Sequence, residues 1–255
     1  MAPFASYPSL KDRAVFVSGG GSGIGASIVE HFAEQGAKVA FVDIDEPASR
    51  ALVEKVAGAG HPQPAFAKCD VRDIAAYQAT IAALAARLGD FTVLVNNAAR
   101  DDRHTIEEVT PAYWDERLAV NLRHHYFAIQ SVVPGMKRAG GGSVINFSSV
   151  SYHAMAPRLS VYEGAKAAVV GMTRGLARDL GPDGIRLNIV TPGWIMTQRQ
   201  IDLWLTPEGE ADLMKAQCLK EKVYPPDIAR MVLWLASDDS RLVTAQNFVV
   251  DGGRM

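Results

Sequence analysis

Tyr162 and Lys166 stand four residues apart, so on a helix their side chains share one face. A phenol beside an ammonium can serve as a base. A free tyrosine titrates near 10, and working at about pH 7–8 requires a drop of roughly two to three units, about 3–4 kcal/mol. An ammonium about 4 Å away, at an effective dielectric of about 20, supplies roughly 4 kcal/mol. Lys166 is therefore sufficient in magnitude. Ser149 lies thirteen residues before Tyr162, and Asn121 lies in the helical stretch before that. Such a base suits removal of an alcohol proton, provided that a separate group accepts the hydride. The ordinary alternatives are a solvated helix pair for Tyr162 and Lys166, a turn residue for Ser149 and a buried polar contact for Asn121.

The hydride acceptor has its own signature. Ser18-Gly19-Gly20-Gly21-Ser22-Gly23-Ile24-Gly25 follows an apolar run and opens a helical stretch. Glycines there permit a tight turn and close backbone approach, and a helix N-terminus attracts a pyrophosphate. The spacing is Gly-x-x-x-Gly-x-Gly, and no Gly-Lys-Ser/Thr follows, which excludes a P-loop. Eighteen residues after Gly25 the next apolar run ends at Asp43, whose carboxylate can accept from ribose hydroxyls. Capping a helix before Pro47 is its alternative role. Asp43 and Asp45 would repel a 2′-phosphate, and the glycine turn holds no Lys or Arg to offset them. NAD is expected over NADP.

These residues need a scaffold. Seven short apolar runs read as strands: Ala14–Ser18, Lys38–Asp43, Ala65–Lys68, Thr92–Asn96, Ser143–Phe147, Arg186–Val190 and Asn247–Val250. Helical stretches separate them, at Ile24–Gln35, Pro47–Ala57, Ile74–Leu88, Pro111–Arg138 (bent near Pro134), Val161–Leu180 and Pro226–Ala236. Continuous apolar strands alternating with helices predict an α/β fold: one doubly wound Rossmann domain over residues 1–255, with a parallel seven-stranded sheet and helices on both faces. A helical insertion at about 194–223 would cover the substrate. Every motif falls at a carboxyl end of a strand, where ligands of such sheets bind.

Composition removes other classes. The 255 residues carry 26 basic and 28 acidic side chains, a net charge of −2, with 48% hydrophobic and 21% charged residues. That balance belongs to a globular chain and offers no basic face for nucleic acid. No apolar run reaches the roughly 18 residues of a membrane span. Met1 to Asp12 is polar and proline-broken, unlike a leader peptide, and Cys69 and Cys218 show no pairing pattern, so a cytoplasmic location is expected. The six histidines form no metal pattern, and His124 and His125 read as structural. No Gly-x-Ser-x-Gly elbow supports a serine hydrolase.

Ser18 to Gly25, Asp70-Val71, Asn96-Asn97-Ala98, Asn121, Ser149, Tyr162-x-x-x-Lys166 and Pro192-Gly193 with Thr197 occur in that order. Together they resemble the short-chain dehydrogenase/reductase family over essentially the whole chain. The resemblance implies Tyr162 as base, Lys166 on the nicotinamide ribose, Ser149 on the substrate oxygen and Asn121 positioning a relay water. It implies cofactor contacts from Gly19, Ser22, Gly23, Ile24, Gly25, Asp43 and Ile44. Asp70 and Val71 would flank the adenine, Asn97 and Ala98 the ribose, and Pro192, Gly193, Ile195 and Thr197 the carboxamide. It also implies a homotetramer. Ala99 departs from the glycine usual after Asn-Asn-Ala, and its methyl is expected to tighten packing beneath the cofactor.

The variable loops hold Arg100, Ser151, His153, Arg158, Trp194, Gln198 and Arg199, which with Ser149 and Tyr162 are the expected substrate residues. Hydrogen-bonding edges and a tryptophan face suit a polyol ring. Asp101–His104, Tyr113–Arg117, Asn121–His124, Thr206–Glu210 and Ala216–Lys220 resemble a narrower branch, bacterial NAD-dependent aldose 1-dehydrogenases of the D-xylose dehydrogenase type, which oxidise the anomeric hydroxyl to a lactone. If Arg100 and Arg158 both face the pocket, the substrate is instead an anionic sugar, a sugar acid or sulfo-sugar. Surface pairing with Asp101 or Glu163 is their plainer role. A ketone or 3-oxoacyl reductase and a non-catalytic NAD-binding regulator are the other readings. Asp43→Ala is expected to erase most of the preference for NAD, measured as the ratio of kcat/KM with NAD and NADP. Equal efficiency of the unaltered chain with both would contradict the assignment of Asp43.

Overall fold

The computed structural model describes residues 4–255, so the polar reading of Met1 to Asp12 meets structure only from Phe4 onward. The seven apolar runs become β1 (Ala14–Ser18), β2 (Lys38–Asp43), β3 (Ala65–Lys68), β4 (Val93–Asn96), β5 (Gly142–Phe147), β6 (Ile185–Pro192) and β7 (Asn247–Val250). They form one parallel sheet in the order β3-β2-β1-β4-β5-β6-β7. The order reverses between β1 and β4, the switch point at which the flanking loops splay apart and open a crevice. Ser18 pairs in register with Val42 and Asn96, and Asn96 with Asn146. The central strands therefore end level, and the loops that leave them meet.

Along the central strands, buried side chains alternate between two cores. Val15, Val17, Val93 and Val95 face a core built with Ile28, Phe32, Ile228 and Val232. These come from α1 (Gly23–Glu34) and α10 (Pro225–Ala236). Phe16, Leu94 and Val144 face the other core, with Tyr77, Ile81, Ile129 and Val132. Those come from α3 (Ile74–Leu88) and α5 (His124–Arg138). Two-sided burial is what parallel strands require. Asp45 caps α2 (Glu46–Gly58) by accepting from the Ala48 N–H at 3.1 Å, and Asp73 caps α3 through Ala76.

The region expected as one long helix bent near Pro134 is arranged differently. α4 (Pro111–Leu118) and α5 are joined by a wide π-helical turn at Ala119–Arg123, and α5 runs through Pro134 to Arg138. The interruption thus falls on Asn121. After Ser149 comes a short α6 (Ser151–Ala154), then α7 (Ser160–Leu180). Between β6 and α10 lie α8 (Gln198–Trp204) and α9 (Pro207–Ala216).

Phe16 packs fully buried against Phe91 and Tyr77, with ring centroids 5.4 and 6.0 Å away. Phe16→Ala should lower unfolding free energy by about 3–5 kcal/mol. The check is urea unfolding, in which the midpoint falls at unchanged slope.

Candidate active site

The glycine turn after β1 has no spare volume. A Cβ on Gly25 would lie 1.8 Å from the Gly19 carbonyl oxygen, and one on Gly19, at φ +67°, 2.8 Å from Ala98 Cα. The turn is held from β4: the Asn97 side-chain amide donates to the carbonyls of Ser18 (3.2 Å) and Gly19 (2.9 Å). The backbone N–H groups of Asn97 and Ala98 donate in return to the Ser18 hydroxyl. Ser22 begins α1 without a side-chain cap, so the first-turn N–H groups are free of side-chain partners. Those groups line a cleft of about 640 Å³ with Gly19, Gly23, Ile24 and Gly25. Bare N–H groups over a cradle that admits no side chain fit a dinucleotide pyrophosphate.

Asp43 also faces this cleft. Its Oδ2 accepts from the Gly21 N–H at 2.9 Å and its Oδ1 from Asp45 N–H at 3.0 Å. The helix-capping role belongs to Asp45, so Asp43 is free to line the ribose end. Ile44, Asp70 and Val71 lie on the same wall. Arg72, which sequence motifs do not signal, also reaches this wall, but its charge is taken up by Asp70 and Glu116 at 2.6 Å each. The Arg72 guanidinium in turn holds the Asp70 carboxyl below its ordinary range.

The catalytic candidates converge farther along the cleft. Lys166 is buried on α7 and its Nζ donates to the Phe147 carbonyl, the last residue of β5, at 3.0 Å. Its Nζ stands 5.7 Å from the Tyr162 ring centroid. Burial pushes Lys166 down to about 7 and Tyr162 above its ordinary range. Asp101 raises Tyr162 further, while the Ser149 hydroxyl, Arg103 and Arg199 draw it down. The simple estimate from an ammonium about 4 Å away therefore does not describe this site. Ser149, just past β5, lines the cleft beside Tyr162.

Asn121 is fully buried and does not face the cleft. Its amide donates to the Arg100 carbonyl at 3.0 Å, and its Oδ1 accepts from Arg100 N–H at 2.9 Å. His124 Nε2 lies 3.0 Å from the Ala98 carbonyl. The wide turn and the first residue of α5 thus grip the loop after β4 at two points. Burial pushes His124 down to about 3, and Lys166 adds to the effect; His125 moves in the same direction for the same first cause.

Among the expected substrate residues, Arg100, Ser149, Ser151, Tyr162, Trp194, Gln198 and Arg199 line the cleft. His153 and Arg158 do not. His153 is exposed and stacks on Tyr152 at 4.0 Å between centroids. Arg158 is exposed at φ +63°, a left-handed backbone that turns its side chain out while its carbonyl accepts from His104 N–H. Arg100 lies 3.3 Å from Asp102, not from Asp101 or Glu163. Asp101, Arg103, Gln200 and Arg254 also face the cleft. Charged loop residues of this kind carry no periodicity to distinguish a cleft wall from a solvated surface. Ala99 is exposed on the cleft wall, so its methyl does not press into the packing beneath. Pro192, Gly193, Ile195 and Thr197 lie at the mouth after β6, where Thr197 caps α8 and a Cβ on Gly23 would meet its methyl at 3.1 Å.

Residues 19–254 match a family described as enoyl-(acyl carrier protein) reductase. The chain belongs to the short-chain dehydrogenase/reductase family. It is accordingly an oxidoreductase. It is 52% identical over 249 residues to the D-xylose 1-dehydrogenase of Caulobacter vibrioides, covering 98% of each chain. It is 50% identical over 251 residues to a Rhizobium meliloti protein named "probable galactose dehydrogenase", again covering 98% of each. Among solved family members, a 3-oxoacyl-[acyl-carrier protein] reductase from Brucella melitensis with bound NAD superposes with a TM-score of 0.88 at 31% identity, covering 100% of this chain and 98% of that one. No helix among the described residues is long and apolar enough to cross a membrane.

His124 titrates near 3 when folded and near 6.5 when unfolded. Between those values the unfolded chain binds more protons, so stability falls as pH falls, by up to about 1.4 kcal/mol per pH unit. Above pH 6.5 this loss is absent. Urea unfolding of His124→Gln between pH 6.5 and 5 should show a flatter decline than the unaltered chain. Parallel declines would remove His124 as a source of acid sensitivity.

Proposed function

We propose that this protein is an NAD-dependent aldose 1-dehydrogenase that oxidises the anomeric hydroxyl of a cyclic sugar to the aldonolactone. The reading is carried by one observation: the match to a D-xylose 1-dehydrogenase, 52% identical overall, covers 98% of both chains, and so includes the loops and the α8 segment that wall the cleft as well as the cofactor turn. Polar groups and the Trp194 ring at that end suit a polyol.

Bound NAD supplies the hydride acceptor. Ser149 would hold the anomeric oxygen, and Tyr162 would take the proton of that hydroxyl. Lys166, anchored on Phe147 with its Nζ 5.7 Å from the Tyr162 ring centroid, would hold the ribose side. Asn121 acts through the loop that it grips, by fixing the Arg100 backbone. Asp43, with Asp45 near it and Arg72 already paired, favours NAD over NADP. Gly19, Ser22, Gly23, Ile24 and Gly25 cradle the pyrophosphate, Ile44, Asp70 and Val71 the adenine side, Asn97 and Ala98 the ribose, and Pro192, Gly193, Ile195 and Thr197 the carboxamide.

A neutral sugar is favoured over an anionic one because Arg158 points away and Arg100 and Arg199 are already paired with carboxylates. We read the chain as one catalytic unit, cytoplasmic, with residues 194–223 covering the substrate. The exposed small residues Ala167, Ala168 and Gly171 of α7 suit close packing in a homotetramer.

NADH absorbance across a panel of pentoses, hexoses and anionic sugars tests the activity. At least one neutral aldose should be oxidised, and Tyr162→Phe should lose nearly all turnover while keeping NAD affinity within about twofold. Retained turnover in that variant would sink the role of Tyr162. NADPH-linked ketone reduction without aldose oxidation would favour a reductase instead.

A further inference from the structure

The cleft contains an ion pair that the reaction chemistry does not require. Asp101, on the loop after β4, has a side chain only 20% exposed and faces the cleft near Tyr162. Its Oδ1 accepts from Arg199 Nη1, and its Oδ2 accepts from the Gln200 side-chain amide at 2.9 Å. Both partners stand on α8. The Gln200 carbonyl is in turn held by the Trp194 indole N–H at 3.0 Å, which fixes which end of the amide faces Asp101. Behind the pair, Arg199 also donates to Asp102 at 3.1 Å, and Asp102 is gripped by the buried Arg117. Each member of the pair is thus held by a further side chain, Asp101 by Gln200 and Arg199 by Asp102.

Its stabilising value does not account for its place. Desolvation offsets much of the attraction in a part-buried ion pair. The Asp101 charge also raises the Tyr162 phenol, which opposes proton removal. A carboxylate offers about four acceptor positions, and only two are filled here. Arg199 has five N–H donors and uses one on each aspartate. The pair thus presents open acceptors and donors side by side. A hydroxyl is both donor and acceptor, whereas a carboxylate or sulfonate is an acceptor alone and would meet Asp101 as a like charge.

We propose that the Asp101–Arg199 pair is the specificity determinant of this site: it reads a ring hydroxyl of the sugar other than the one oxidised, with Asp101 accepting from that hydroxyl and Arg199 donating to it. The inference rests on the aldose dehydrogenase reading and sharpens it, since it locates discrimination among sugars in one carboxylate carried on the loop after β4. Gln200 and Trp194 position that carboxylate and do not themselves select.

The test is a cycle between protein and substrate. kcat/KM is measured for the unaltered chain and Asp101→Asn with the best neutral aldose and with its monodeoxy analogues, one ring position at a time. In the unaltered chain one deoxy analogue should lose about 10- to 100-fold, the expected effect of removing a hydrogen bond to a charged group. In Asp101→Asn the parent sugar should lose a comparable factor, and that one analogue should lose no more than about threefold further, while the other analogues lose as much as before. Equal losses for every analogue in both proteins would mean that Asp101 only pins α8, and would overturn the proposal while leaving the aldose reading intact. Monodeoxy analogues that all match the parent in the unaltered chain overturn it without any variant. An unaltered chain that oxidises no aldose overturns both readings together.

Discussion

The Ser18 hydroxyl and the Asn97 amide tie together two loops that sequence places far apart. Ser18 accepts from the backbone after β4, and Asn97 donates to the backbone after β1. Because Gly25 has no room for a side chain over Gly19, the α1 terminus is pressed against this knot. Asn121 and His124 then fasten the next residues of the same loop from the wide turn between α4 and α5 and from the first residue of α5. The cofactor cradle and the wall that carries Arg100 and Asp101 are therefore one body. The bonds that join them, from the Ser18, Asn97, Asn121 and His124 side chains, are about 3 Å long and all reach backbone groups.

Charge is distributed within this body in a way that isolated pairwise arithmetic misses. Four residues of helical spacing do bring Lys166 and Tyr162 to one face, but Lys166 turns to the Phe147 carbonyl and its own burial weakens its charge. The phenol is raised first by its burial, and then senses Asp101 and Arg103 from the loop after β4 and Arg199 from α8. Charged residues on the cleft wall therefore act on the phenol alongside its burial.

The parts most legible in sequence are those with a period or a steric demand. Strands showed as apolar runs because both faces of a parallel sheet are buried, and the glycine turn showed because nothing larger fits. The wide turn at Ala119–Arg123 left no signature, since an extra residue in a helical turn requires no particular residue type, whereas Pro134 suggested a bend elsewhere. His153 and Arg158 were misplaced for a different reason. Met155 and Arg158 both take left-handed backbone conformations, and such reversals decide where a loop side chain points without any regular pattern. Asp43 reads in sequence as helix cap or ribose ligand; the cap of α2 is in fact Asp45, which accepts from the Ala48 N–H, while Asp43 accepts from the Gly21 N–H, a bond that no spacing rule anticipates.

The knot between Ser18 and Asn97 joins residues 79 apart in the chain. Its ends meet where β1 pairs with β4, so a loop of that length must close to form it. During synthesis the glycine turn emerges early but stays without its partner while roughly eighty further residues are made. The cofactor cradle is thus completed only by residues on both sides of the sheet's switch point, and it exists only where β1 and β4 lie side by side.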